Sequence, residues 1–131
     1  MPVDQSLVGR TFPPTGPFAV TEEGVRAFSE SLGAAPGGPI PPTFPIVLAF
    51  RAMHEFLEAE QVELHRIVHG EQRFSYARPL VVGDELTATL TVSGLRQLGG
   101  ADVITTTSEF VDAGGEVVCT ARATLMHGGA A

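Results

Sequence analysis

Only one cysteine, Cys119, occurs among the 131 residues, so the chain can form no internal disulfide and has to hold its fold by burial. A lone thiol also fits a reducing compartment. Basic residues are scarce: Lys and Arg number 8 against 15 Asp and Glu, for a formal net charge of -7. Phosphate backbones and anionic membranes both need clustered cations, so nucleic-acid and membrane-surface binding are excluded. Long apolar runs are missing too. No stretch approaches the roughly 18 apolar residues of a membrane span, and the N-terminus lacks the basic start and apolar run of a signal peptide. A cytoplasmic, soluble protein is the expectation. Hydrophobic residues at 44% and charged residues at 18% rule out a disordered chain.

What is present reads in order as helix, loop, helix, then strands, an α+β arrangement in a single domain over 1–131. A short strand is expected near Phe18–Val20. Thr21 offers a capping hydroxyl, Glu22 and Glu23 fill the first helical turn, and Gly33 ends the helix. Val25, Phe28 and Leu32 make its apolar stripe. Gly33–Pro42 is too rich in Gly and Pro for a regular element. From Ile46 to Glu60 there is neither Gly nor Pro, and Pro45 suits a helix's first turn. Ile46, Ala49, Phe50, Met53 and Leu57 form one stripe, with Arg51, Glu55 and Glu58 on the opposite side. The first turns are apolar nearly all round, which predicts an enclosed helix start.

Beyond Val62 the chain reads as strand. Leu64–Val68 and Gln72–Arg78 are expected as two short strands ended by Pro79. Leu86, Ala88, Leu90 and Val92 alternate with Thr87, Thr89, Thr91 and Ser93, the period of a half-buried strand. Gly99-Gly100 and Gly114-Gly115 mark hairpins. In the last run Val117, Cys119, Ala121, Ala123 and Leu125 share a face, small enough for a sheet curving tightly on a helix.

Three segments carry a family resemblance: Pro41-Pro42-Thr43-Phe44-Pro45-Ile46 opening a helix, His69-Gly70-Glu71-Gln72-Arg73-Phe74, and Arg78-Pro79-Leu80-Val81-Val82-Gly83-Asp84 before a long strand. Together, over residues 4–127, they resemble the MaoC-like dehydratases, in particular the N-terminal, fatty-acid-synthase-type dehydratase-like branch that includes the non-catalytic subunit of (3R)-hydroxyacyl-thioester dehydratases. The resemblance implies a hot-dog fold, about five antiparallel strands wrapped round a central helix. It implies an acyl thioester, on CoA or a carrier protein, as ligand. It also implies a dimer, either of two copies or with a catalytic MaoC-like chain.

Moving a proton at the α-carbon and activating water need an acid/base pair, and the thioester oxygen needs donors. In catalytic members of the family an Asp and a His stand just before the central helix. Here Gly33–Pro42 holds neither, and no Asp occurs between Asp4 and Asp84. The implied role is a subunit lining the acyl site while its partner supplies the pair, so no catalytic residue is assigned. Thr43, Phe44, Ile46, Val47 and Phe50 at the helix start are the expected acyl-thioester contacts, where free amides and the helix dipole could polarise a carbonyl. A plain helix start is the alternative. His69 and Gly70 are the second candidate stretch, against a structural role for that histidine. His54 is expected at a packed or solvent-edge position, His65 exposed, and His127 in a fraying tail. Cys119 reads as a small buried hydrophobe. Neither metal-ligand spacing nor a phosphate-cradling glycine loop occurs, so no cofactor is expected. Two other readings stay open: a self-sufficient thioesterase, against which Glu55 lies late and on the polar stripe, and an acyl-binding module without turnover.

Overall fold

A computed structural model describes residues 5–33 and 39–128, except the side chain of Gln5. Its elements are β1 (Phe18–Ala19), α1 (Glu22–Ser31), α2 (Ile46–Ala59), β2 (Ile67–Tyr76), β3 (Glu85–Leu98), β4 (Ala101–Val111) and β5 (Val117–Gly128). The strands form one antiparallel sheet in the order β1-β3-β4-β5-β2. It curls round α2 in the expected hot-dog arrangement. Among the described residues no helix is long and apolar enough to cross a membrane.

α1 starts where the capping residues put it, with Thr21 Oγ1 accepting from Gly24 N at 3.0 Å. It ends where Gly33 is expected to stop it, and the last residue of its apolar stripe falls one position past the helix. Leu32 is the C-cap and is exposed, because Gly33 takes a left-handed φ of 77° and turns the chain away. α2 spans the Gly- and Pro-free stretch and closes at Gln61, which adopts φ 56° in the role glycine usually fills.

The buried face of α2 is Leu48, Ala49, Ala52, Met53, Phe56 and Leu57. Those residues sit on the concave sheet, where Ala88 and Ala121 leave room for them and Leu90, Ile104, Phe110 and Leu125 fill the remainder. Phe56 also meets Phe12 edge-to-face at 5.0 Å. The stripe read from spacing is therefore rotated. Phe50 stays 42% exposed and Val47 39%, so the described residues leave this flank of the helix start open.

Two strand readings need correction. Leu64–Arg66 is a 3-10 turn, and Ile67–Tyr76 forms one strand with a bulge between His69 and Glu71. The bulge absorbs Gly70 without breaking the strand, and it moves the inward set from Ile67 and His69 to Gln72 and Phe74. Val117 is exposed instead of sharing the face of Cys119, because the β4–β5 register slips beside it.

The two sheet edges differ. β3 is sealed by residues 9–20: Gly9 N donates to Val92 O at 2.8 Å, Phe12 N to Leu90 O at 2.8 Å and Thr15 N to Ala88 O at 2.9 Å. Pro13, Pro14 and Pro17 interrupt a regular strand there, and the Thr15 hydroxyl takes up the Ala88 amide at 3.1 Å. On the outer side of β2 no described strand pairs.

Phe56→Ala is expected to cost about 3–5 kcal/mol, since it empties the α2 seat. In urea denaturation the midpoint should fall with an unchanged slope.

Candidate functional site

The turn before α2 is folded tightly on itself. Phe44 N donates to Pro41 O at 2.9 Å, Ile46 N to Thr43 O at 3.0 Å, Val47 N to Phe44 O at 3.1 Å and Leu48 N to Pro45 O at 3.1 Å. Those amides, offered by spacing as donors for a thioester carbonyl, are thus already engaged, and Pro45, the N-cap, has no N–H to give. Phe44 is buried in an aromatic cluster, 5.5 Å from Phe28 and 6.2 Å from Phe18. It pins α1 to the start of α2. Thr43 is exposed at the same turn, and Ile46 is half-buried.

Other candidates come together. Val47 and Phe50, three residues apart, share the open side of α2. The Phe50 ring faces the His69 ring at 5.6 Å, across from the β2 bulge where Gly70 is exposed. His69 points inward, and its Nε2 is buried with no hydrogen-bond partner among the described residues. Such an atom costs about 1–3 kcal/mol unless something completes it. Between Phe50, Met53 and His69 on one side and Thr106 and Ser108 on the other lies a crevice of about 10 Å³, room for about one water.

Arg78 organises the segment that precedes β3. Its Nη1 and Nη2 donate to the two Asp84 carboxylate oxygens, both at 2.9 Å, and Nη2 reaches Asp112 at 3.4 Å. Val81 N donates to Asp84 at 2.9 Å. The segment is a clamped turn that ties the start of β3 to the β4–β5 hairpin. The hydrogen bonds from Arg78, helped by that from the Val81 amide, hold the Asp84 carboxyl below its usual range. The Asp112 carboxyl is lowered mainly by accepting from the Glu116 amide.

One acidic–imidazole contact is not visible from spacing. His127 does not lie in a fraying tail: β5 runs on to Gly128, and His127 faces Asp102 across the β4–β5 ladder. Nδ1 stands 3.5 Å from Asp102 Oδ2 without hydrogen-bond alignment, and Gln97 Nε2 donates to the other oxygen at 3.3 Å. The Gly114-Gly115 turn, which folds β5 back on β4, was the available signal. The pair is no substitute for a catalytic couple before α2, because its side chains are only 5% and 2% exposed. It also lies at the far end of the sheet. Tyr76, which bonds Pro42 O at 2.6 Å, pairs with Cys119, eight residues and about 26 Å of strand from His127.

The remaining two histidines lie at the surface, and Cys119 is buried. His54 is exposed on α2, and His65 is exposed beside Glu63 at 3.3 Å. Burial pushes the Cys119 thiol up to about 11 and the Tyr76 phenol, with Cys119 nearby, up to about 12. Among the described residues no group of His, Cys, Asp and Glu is placed to hold a metal.

A family model described as the FAS1-like dehydratase domain region matches residues 34–121. A UPF0336 protein of Leifsonia xyli subsp. xyli is 39% identical over 145 aligned residues, covering 96% of each chain. The HadBC (3R-hydroxyacyl-ACP dehydratase) complex of Mycobacterium tuberculosis, C-terminally truncated, contains a chain 25% identical, with TM-score 0.81 over 92% of this chain and 96% of that one. A MaoC-like dehydratase, also 25% identical, matches 96% of this chain with TM-score 0.80 but only 43% of its own length.

Arg78→Ala should lower Tm at neutral pH. Because the folded Asp84 carboxyl is depressed, its stabilising share is complete above the ordinary value of about 4 and fades as pH falls through the folded one. The Tm gap between variant and wild type should therefore shrink in acid; a gap independent of pH would show that the clamp is not electrostatic. Cys119 should resist alkylation by iodoacetamide at mildly alkaline pH and react only on unfolding, read by intact mass.

Proposed function

The chain belongs to the FAS1-like dehydratase domain family, and from that membership we propose that it is the acyl-thioester-binding, non-catalytic subunit of a (3R)-hydroxyacyl-thioester dehydratase or enoyl-thioester hydratase. A MaoC-like partner chain supplies the Asp and His. The observation that carries this reading is the turn before α2, which holds no acid/base pair in sequence and engages its own amides in structure. Adding water across an enoyl double bond requires a base to take a proton from water as oxygen bonds to C3. An acid must deliver a proton to C2, and donors must hold the charge that gathers on the thioester oxygen. This turn offers neither the acid/base pair nor those amides.

The surfaces favour a paired molecule. With β3 sealed, β2 is the edge available for a second sheet, and unpaired edges invite strand addition. Beside it stand Val47, Phe50 and His69, which a partner and an acyl group would cover together, completing the His69 Nε2. In this reading the partner lies along β2, CoA or acyl-carrier-protein thioesters are the ligands, and Val47, Phe50, His69 and Gly70 are the contacts. Support comes from the likeness to a chain of a dehydratase complex and from a MaoC-like dehydratase more than twice this length. The unpaired Cys119 fits work in the cytoplasm. A self-sufficient thioesterase is disfavoured, since Glu55 is exposed and paired with Arg51 at 3.5 Å.

Crotonyl-CoA hydration, followed by loss of the enoyl-thioester absorbance, tests the reading. The purified chain alone should show no turnover above the uncatalysed rate, and mixing with a MaoC-like partner should restore it. Full turnover by the isolated chain would refute the assignment. Phe50→Asp, at a half-exposed position, should keep the circular dichroism spectrum yet weaken association in sedimentation.

A further inference from the structure

The convex face of the sheet, on the side away from α2, carries polar residues that have no part in the site beside His69. Alternation puts Glu71 and Arg73 of β2 there, because Gln72 and Phe74 point inward. The ladders bring Arg122 and Thr124 of β5 and Thr105 of β4 beside them. Glu71 pairs with Thr124, Arg73 with Arg122, and Thr124 with Thr105. These five residues line a hollow of about 260 Å³. The short threonines form its floor, and the three long charged side chains form its rim.

The register concentrates positive charge at this place. Arg73 and Arg122 stand directly opposite each other, the one like-charged pair in the described ladders, and opposed like charges destabilise a sheet. Glu71 relieves only the first of them. Its two carboxylate oxygens accept from Arg73 Nε at 3.1 Å and Nη2 at 3.3 Å. Among the described residues, the Arg122 guanidinium and the Thr105 and Thr124 hydroxyls have no hydrogen bond or ion pair. Two arginines against one glutamate leave the hollow net positive, in a chain whose formal net charge is -7. Its donors have no acceptor to serve.

We propose that this hollow binds one phosphoryl group, as inorganic phosphate or as a phosphate monoester, between Arg73 and Arg122. A carboxylate has two oxygens, and the Glu71 pair shows a single arginine taking up both. A phosphoryl group brings three acceptor oxygens and close to two negative charges, enough for two guanidinium forks and the hydroxyls beneath them. Two cations suit one such group, and not the repeated phosphates of a nucleic acid. The sheet lies between this hollow and the acyl-thioester contacts, so the two are separate. Pairing along β2 joins backbones in the plane of the sheet and leaves the convex face open. The inference stands without the subunit reading.

The test follows backbone amide NMR shifts of the isotopically labelled chain at constant ionic strength and about pH 8, where a phosphate monoester is a dianion. Inorganic phosphate, glycerol phosphate and acetate are titrated in turn. Both phosphates should give saturable shifts centred on residues 71–73, 105 and 122–124, and acetate should not. Tighter binding of glycerol phosphate identifies an ester as the ligand; tighter or equal binding of inorganic phosphate identifies the free ion. Arg122→Gln should weaken binding at least about tenfold. Glu71→Gln removes the competing carboxylate and should strengthen it about two- to fivefold, a gain that no loss of folding can imitate. The proposal is overturned by unsaturable shifts in wild type, by shifts centred elsewhere, or by acetate binding as tightly as phosphate. Wild-type affinity in Arg122→Gln, or unchanged or weaker binding in Glu71→Gln, overturns it equally.

Discussion

The seating of α2 on the concave side of the sheet is the contact on which the rest of the molecule depends. Six apolar side chains of one helix meet a surface built from Leu90, Ile104, Phe110 and Leu125 with alanines between them. The small residues let a helix and a sheet approach closely enough to exclude water, and the hydrophobic gain scales with the area removed. Curvature follows from the same requirement, because a flat sheet would touch only part of a helix face. Phe12 and Phe44 extend the seat to the N-terminal segment and to α1, so the sealed β3 edge and the turn before α2 are held by the same core.

That seating has a consequence for the surface. Rotating the buried face toward Leu48, Ala52 and Phe56 leaves Val47 and Phe50 half in solvent, on the side where β2 has no described neighbour. An open edge and an apolar helix flank in one place form a surface suited to a second domain, whereas the opposite edge is closed by the proline-interrupted strap. The asymmetry leaves one of the two sheet edges open among the described residues.

Two polar arrangements flank this core and differ in kind. Arg78, Asp84 and Asp112 lie near the surface and fix a turn, fully matched in geometry. Asp102 and His127 lie inside, closing the far end of the β3–β4–β5 ladder together with Gln97. Buried, and a whole strand length from the turn before α2, they serve the sheet end. An aspartate and a histidine in contact are a chemical resource only where a substrate can reach them.

From the residues alone, the cap at Thr21, the helix from Ile46, the Gly99-Gly100 hairpin and the alternation from Leu86 to Val92 could all be read, because each depends on backbone preferences and periodicity within a few positions. The absent acid/base pair was legible for the same reason: it concerns which residue types occupy a short loop. The rotation of α2, the bulge that carries His69 and Gln72 to the same side, the closing of one sheet edge and the meeting of Asp102 with His127 were not. Each depends on registers and contacts between segments far apart in the chain. Spacing can name an apolar stripe, but only packing against a particular curved sheet decides which half of it is buried.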